Sequence, residues 1–72
     1  MSITIDKAQE LELRARIRIW EQQRKDFLRG GESRMALRVE DWLAGAAVTL
    51  SLLRRPDLAR LADAALDAPV ET

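Results

Sequence analysis

The sequence predicts an all-α protein: a long antiparallel helical hairpin, followed by a short C-terminal helix, that pairs with a second copy into a four-helix bundle. Three observations support this prediction. Apolar residues recur at spacings of three and four in three segments. Gly30-Gly31 separates two segments of nearly equal length, and Pro56 opens the third. At 72 residues the chain forms a single helical domain, 1–72, which is marginally stable as a monomer.

The first helix is predicted over residues 6–29. Asp6 is followed three residues later by Gln9, which together can form an N-terminal capping box. Residues 11–19 alternate apolar and charged side chains, which is also typical of a strand. Good helix formers and the unbroken continuation to residue 28 favour the helix. On a helical wheel its apolar residues form two stripes: Leu13, Ile17, Trp20, Phe27 and Leu28 on one side, and Ala8, Leu11, Ala15 and Ile19 on the other.

The second helix is predicted over residues 33–54, after the glycine pair that ends the first. A stretch without charge, residues 42–53, lies in its second half and indicates burial on more than one side. Its main stripe contains Met35, Val39, Trp42, Leu43, Ala46, Leu50 and Leu53, and a lesser stripe contains Leu37, Ala44, Val48 and Leu52.

A short glycine link between equal helices favours an antiparallel hairpin. Folding the chain about residue 31 places Trp20 beside Trp42. The same pairing places Ile17 beside Gly45, where we expect the two backbones to approach closely. The helix-1 residues that meet helix 2 in this arrangement all belong to one stripe of the wheel, which supports the hairpin.

The third helix is predicted over residues 56–67. Proline suits a first helical turn, and Leu58, Leu61, Ala62, Ala65 and Leu66 have the spacing of one helical face. A helix of about 12 residues is unstable alone, so we expect it to fold over the open end of the hairpin. Residues 68–72 are predicted to be frayed. The sequence leaves open whether this helix or a second subunit covers the second stripe of helix 1.

Composition argues against catalysis. The chain has no Cys and no His, which removes the usual nucleophile, general base and zinc ligands. Asp57, Asp63 and Asp67 are interpreted as solvated acids around Arg60. We therefore predict no enzyme activity, no cofactor and no metal. The absence of Cys and of a signal sequence fits a cytoplasmic protein, and residues 41–53 are too short to span a bilayer.

The charges are unevenly distributed although they sum to zero. Residues 14–38 contain eight basic and three acidic residues, a net charge of +5, whereas residues 1–13 and 39–72 carry −2 and −3. The hairpin therefore has a basic tip. Phosphate backbones bind such clusters, so a dimeric nucleic-acid-binding protein, of RNA or DNA, is the alternative hypothesis.

The favoured hypothesis is a small non-enzymatic interaction protein, a phage-encoded or bacterial regulatory inhibitor or adaptor that binds a host protein. The two tryptophans are either core residues or exposed anchors for that partner, because Trp and Arg dominate binding hot spots. The predicted partner-binding residues are Trp20, Trp42, Arg24, Arg29, Arg34 and Arg38. The predicted homodimer interface comprises Leu11, Ala15, Ile19, Ala44, Val48 and Leu52.

Overall fold

A computed structural model describes residues 4–70 as three α-helices joined by short turns. The helices are α1 (Lys7–Arg29), α2 (Ser33–Leu52) and α3 (Pro56–Asp67). No strand occurs in this range, so the all-α prediction is confirmed and residues 11–19 are helical. Of the predicted frayed tail, residues 68–70 are non-helical, and residues 71–72 lie outside the described range.

Local signals define both ends of α1 as predicted: a capping box begins the helix, and the glycine pair ends it. At the start of α1, the Asp6 carboxylate accepts a bond from the Gln9 N–H at 2.8 Å, and the Gln9 side chain accepts one from the Asp6 N–H. At its end Gly31 has a φ of +74°, and the Glu32 N–H donates to the Phe27 carbonyl at 2.8 Å. This left-handed glycine closes a Schellman motif and reverses the chain.

α2 ends at Leu52, two residues before the predicted end. Arg54 has a φ of +60°, and the Arg55 N–H donates to the Leu50 carbonyl at 2.9 Å. α2 therefore ends in a second Schellman motif, with Arg54 in the left-handed position that a glycine would adopt without strain. Arg54 thus turns the chain so that Pro56 can open α3.

Replacing Arg54 with glycine is expected to raise the free energy of unfolding by about 0.5–1 kcal/mol, because glycine removes the cost of a left-handed side-chain-bearing residue. Urea unfolding followed by circular dichroism measures the change. The matched control is Arg60→Gly in the exposed interior of α3, which should lower stability by about 1 kcal/mol. A loss of stability in Arg54→Gly would contradict the strain at this position.

The core lies where all three helices meet. Leu43 and Leu58 are its largest fully buried side chains, together with Val39. α3 packs against both α1 and α2, but it lies along the hairpin rather than over its open end, because Arg55 before α3 bonds to Glu10 and Ala68 after α3 bonds to Arg24. The core residues come from every helix and include several alanines: Ile17, Val39, Leu43, Ala47, Leu50, Leu58, Ala59, Ala62 and Ala65.

The main apolar stripes predicted for α1 and α2 are only partly buried. Leu13, Trp20 and Phe27 pack against the core from its edge, whereas Met35 and Trp42 are substantially exposed. The predicted close approach at Gly45 is wrong. A Cβ atom added at Gly45 would meet no atom within 4 Å, because this glycine lies on the exposed side of α2.

An ion-pair network joins the first half of α1 to the start of α3. The Arg55 guanidinium donates to Glu10 and also to both Asp57 carboxylate oxygens, at 3.2 and 3.0 Å. Arg14 lies 3.6 Å from the same carboxylate. The hydrogen bonds from Arg55 lower the pKa of Asp57 to about 2, and those to Asp57 and Glu10 raise the pKa of Arg55.

This network predicts a loss of stability in acid. Because the pKa of Asp57 lies below its usual 3.8 in the folded state, its contribution is complete above that pH and is lost as the pH falls towards about 2. The stability difference between the wild type and Asp57→Asn should therefore shrink across this window. Thermal unfolding at stepped pH measures it, with Asp63→Asn as the control. A difference independent of pH would contradict the linkage.

Candidate interaction surface

The two tryptophans meet across the hairpin, as the folding of the chain about residue 31 predicts. Their ring centroids lie 6.1 Å apart and the rings are tilted by 49°. Trp20 is half-buried, but Trp42 keeps 51% of its surface exposed. The pair is therefore neither wholly core nor wholly free, and Trp42 has an apolar edge available to another molecule.

An open groove of about 870 Å³ runs from this pair towards the open end of the hairpin. We call the side of the hairpin that contains it the groove face. Its apolar lining comes from both long helices and the segment before α1, and α3 contributes nothing to it. The apolar lining residues are Ile5, Leu13, Trp20, Trp42, Ala46, Leu50 and Leu53, and the polar ones are Thr4, Gln9, Glu12, Arg16 and Thr49.

Two further apolar rows lie on the outer sides of the long helices. Leu11 and Ile19 are exposed on α1, as are Val48 and Leu52 on α2, where Leu52 is 78% exposed. α3 covers neither row. Each row lies on the side of its helix turned away from the core. All six predicted dimer-interface residues are thus exposed in the single chain, and their contact with a second copy stays a prediction.

Only part of the basic tip is free. Arg24, one of the predicted partner-binding residues, has a side chain that is only 12% exposed and that donates to Glu40 at 2.8 Å and to the Ala68 carbonyl at 2.8 Å. Arg29 lies 3.5 Å from Asp26. Arg34 and Arg38 form no ion pair within residues 4–70. These two arginines are the available charges at the tip.

The described part of the chain offers no cluster of three or more acidic residues that could hold a metal ion. It also has no buried side-chain N or O atom left without a hydrogen-bond partner. Such atoms often mark catalytic centres. None of the described helices is long and apolar enough to cross a membrane.

Comparison with known proteins gives no relative: no protein-family model matches the chain, and no curated protein or solved structure matches it.

The sequence placed several of the groove-lining residues in the hairpin, but it did not predict that they line an open groove. Trp20, Trp42 and Leu53 were expected to pack in the hairpin, whereas Ile5 and Gln9 were not linked to it. The apolar period marks which residues face inward. It does not report that α3 leaves one side of the two long helices uncovered.

Proposed function

We propose that this chain is a non-enzymatic interaction protein of the bacterial cytoplasm, phage-encoded or bacterial, that binds a host protein and alters its activity as an inhibitor or adaptor. The observation that carries the proposal is the outer row of α2. Leu37, Val48 and Leu52 are each 59% or more exposed, on a helix whose opposite side is the core of the molecule. Contiguous apolar surface of this kind is typical of protein-binding sites.

The row has the spacing of a helical ligand. Leu37, Ala44, Val48 and Leu52 follow one another at intervals of seven, four and four, which is the pattern of anchors that enter an apolar groove on a partner. A shallow hollow beside it, lined by Ala47, Val48, Ser51, Leu52 and Asp63, extends the surface towards α3. Full burial of each large anchor contributes about 1.5–3 kcal/mol. We therefore expect the host partner to supply an apolar groove.

Affinity capture tests the proposal with a matched pair of double variants. Val48→Gln with Leu52→Gln removes the outer row of α2, and Leu11→Gln with Ile19→Gln makes the same change on α1. Tagged full-length chains are incubated with a lysate of a bacterium that carries the gene, and bound proteins are identified by mass spectrometry. We expect a host protein that wild type and the α1 variant retain and the α2 variant loses by at least about tenfold, which corresponds to 1.4 kcal/mol.

Capture of the same proteins by all three chains would contradict the assignment to α2, and recovery of nucleic acid alone would contradict protein binding. Circular dichroism of each variant checks that the fold is retained, since the changed side chains are exposed and contribute little to the core.

The nucleic-acid alternative depends on Arg34 and Arg38, which have no ion pair in the described range. It is weaker than the sequence suggested, because Arg24 is committed to Glu40 and Ala68. A mobility-shift titration distinguishes the two functions. Binding through phosphates would weaken steeply between about 50 and 200 mM salt and be lost in Arg34→Ala with Arg38→Ala. Absence of binding at low salt removes the alternative.

A further inference from the structure

The groove face carries an inference that goes beyond the proposed function, because it lies on a different side of α2 from the outer row. We propose that the groove is a docking site for one amphipathic α-helix of about 12 residues, supplied by a second partner protein and running antiparallel to α1. This guest helix lies on the other side of the hairpin from α3 and completes a bundle of four helices. The chain thereby joins two proteins, one at each surface.

The hairpin already holds one helix of this kind on its other side. α3 has 12 residues, and its buried face packs against both long helices. Arg55 before α3 bonds to Glu10, and Ala68 after α3 bonds to Arg24, so α3 lies along this stretch of α1. A space beside the two antiparallel helices therefore accepts a helix of this length, and α3 shows which kind of guest fits.

The groove covers nearly the same stretch of the hairpin. It extends from Gln9 to Trp20 along α1 and from Trp42 to Leu53 along α2. At 1.5 Å per residue each wall is about 17 Å long, which is the length of three helical turns. A small molecule in a groove open along this length would keep much of its apolar surface in water, whereas ligand pockets enclose most of their ligand. An amphipathic helix buries its apolar face there and keeps its polar face exposed.

The lining of the groove suits the apolar face of a helix. Leu13, Ala46 and Leu50 are among its more buried members and form the floor. The small side chain of Ala46 lets a second helix approach α2 closely at this point. At the end nearer the tip, the half-exposed Trp42 stands beside Trp20. It provides an aromatic anchor of the kind that dominates binding hot spots.

Charge complementarity defines one flank of the guest. The α1 wall of the groove carries Glu12 and Arg16, one helical turn apart, and the α2 wall, within residues 4–70, carries no charge. The two side chains form an ion pair at 3.5 Å, but both are more than half exposed, so pairs with a guest can replace it. A guest acid then lies beside Arg16, and a guest base lies beside Glu12. The other cations near the open end lie outside the groove: Lys7, Arg14, Arg54 and Arg55.

These two charges also select the direction of the guest. Within a helix, an acid four residues N-terminal to a base is the favourable order, and this order also suits the helix dipole. A guest with this order runs from the level of Arg16 to the level of Glu12. It is therefore antiparallel to α1, and its N-terminus lies at the end of the groove where the two tryptophans stand.

A synthetic peptide without tryptophan tests the proposal on the full chain. It has about 14 residues, with leucines at i, i+4, i+7 and i+11 and Glu–Lys pairs four residues apart on both flanks. Binding should shift the tryptophan emission of the chain to shorter wavelength, because the peptide removes water from Trp42. It should also raise the helical circular dichroism, because so short a peptide is largely unfolded alone. A peptide of the same composition, with its leucines spread around the helix, should bind about tenfold more weakly.

Two variants of α2 locate the bound peptide. Thr49→Arg places a long side chain in the groove, and Ala44→Arg places the same side chain on the outer side; both positions are exposed. Thr49→Arg should weaken peptide binding at least about tenfold, and Ala44→Arg should leave it unchanged. Circular dichroism of each variant checks that the fold is retained.

Equal binding by both variants would overturn the proposal, and so would equal binding of the two peptides. A wild-type chain whose tryptophan emission shifts with its own concentration, without peptide, would identify a second copy as the occupant and would also overturn it. None of these outcomes bears on the host protein captured by the outer row, because peptide and tryptophans report only on the groove. The failure of one proposal is thus distinguishable from the failure of the other.

A second test determines the direction of the guest. A nitroxide quenches tryptophan fluorescence only at short range, so a nitroxide at the N-terminus of the peptide should quench more strongly than one at its C-terminus. Exchanging the charges of the α1 wall, with Glu12→Arg and Arg16→Glu in one chain, should reverse this preference. Equal quenching by the two labels in the wild type, or a preference that the exchange leaves unchanged, would contradict the antiparallel direction.

Discussion

Replacing Leu43 with alanine should lower the free energy of unfolding by about 3 kcal/mol, within the 2–5 kcal/mol that buried Leu→Ala changes cost. Leu43 has no exposed surface and lies in the cluster where α2 meets α1 and α3. Truncation removes apolar contacts and leaves a cavity, because the surrounding helices cannot fully close around it. The loss is a large part of the stability of so small a domain.

Thermal and urea unfolding at one protein concentration measure this effect, because self-association would make stability depend on concentration. A loss of 3 kcal/mol corresponds to a fall of roughly 12–24 °C in the melting temperature of a domain this size. The control is Leu52→Ala, which makes the same chemical change at a side chain that is 78% exposed. Similar losses in both variants would show that Leu43 is not the centre of the core.

Local sequence signals determined the three helices almost to the residue. The Asp6–Gln9 capping box, the glycine pair and Pro56 act within one turn of the chain, so their effects can be predicted without tertiary structure. α2 ends two residues earlier than expected because Arg54 adopts the left-handed conformation. Non-glycine residues rarely do so, and nothing in the sequence distinguishes this arginine from its neighbours.

Which apolar residues are buried was less predictable. Ala36 and Ala47 are core residues, whereas Gly45 and Ala44 in the same stretch are exposed. Small side chains carry a weak apolar signal, since alanine suits either side of a helix. The expected contact between Ile17 and Gly45 failed for this reason: the side of α2 nearest to α1 carries Trp42 and Ala46, whereas Gly45 is exposed.

The candidate site was predictable in composition but not in exposure. The wheel correctly grouped Trp20 with Leu13, and folding the chain about residue 31 correctly paired Trp20 with Trp42. Whether a stripe at the edge of a hairpin is covered depends on where the third helix lies, and α3 packs against the other side. The same limit applies to the arginines, because a long side chain that turns inward has the same sequence pattern as one that faces solvent.

This limit matters most for Arg24. Replacing Arg24 with methionine should lower the free energy of unfolding by about 1–3 kcal/mol. Its guanidinium joins α1 to Glu40 of α2 and to the carbonyl of Ala68, which follows α3. Methionine keeps the apolar stem but removes the donors. Glu40, whose side chain is only 30% exposed, then has no cationic partner at this position.

Arg16→Met is the matched control for Arg24→Met. Arg16 also pairs with a glutamate, Glu12, but that pair lies at 3.5 Å on an exposed turn of α1, with side chains 60% and 68% exposed. Exposed pairs of this spacing contribute about 0.3–0.5 kcal/mol. Urea unfolding should therefore separate the two variants clearly. Equal effects would mean that the bonds from Arg24 across the three helices add nothing beyond a surface ion pair, and that α3 is held against the hairpin by apolar packing and by the Arg55 network at its other end.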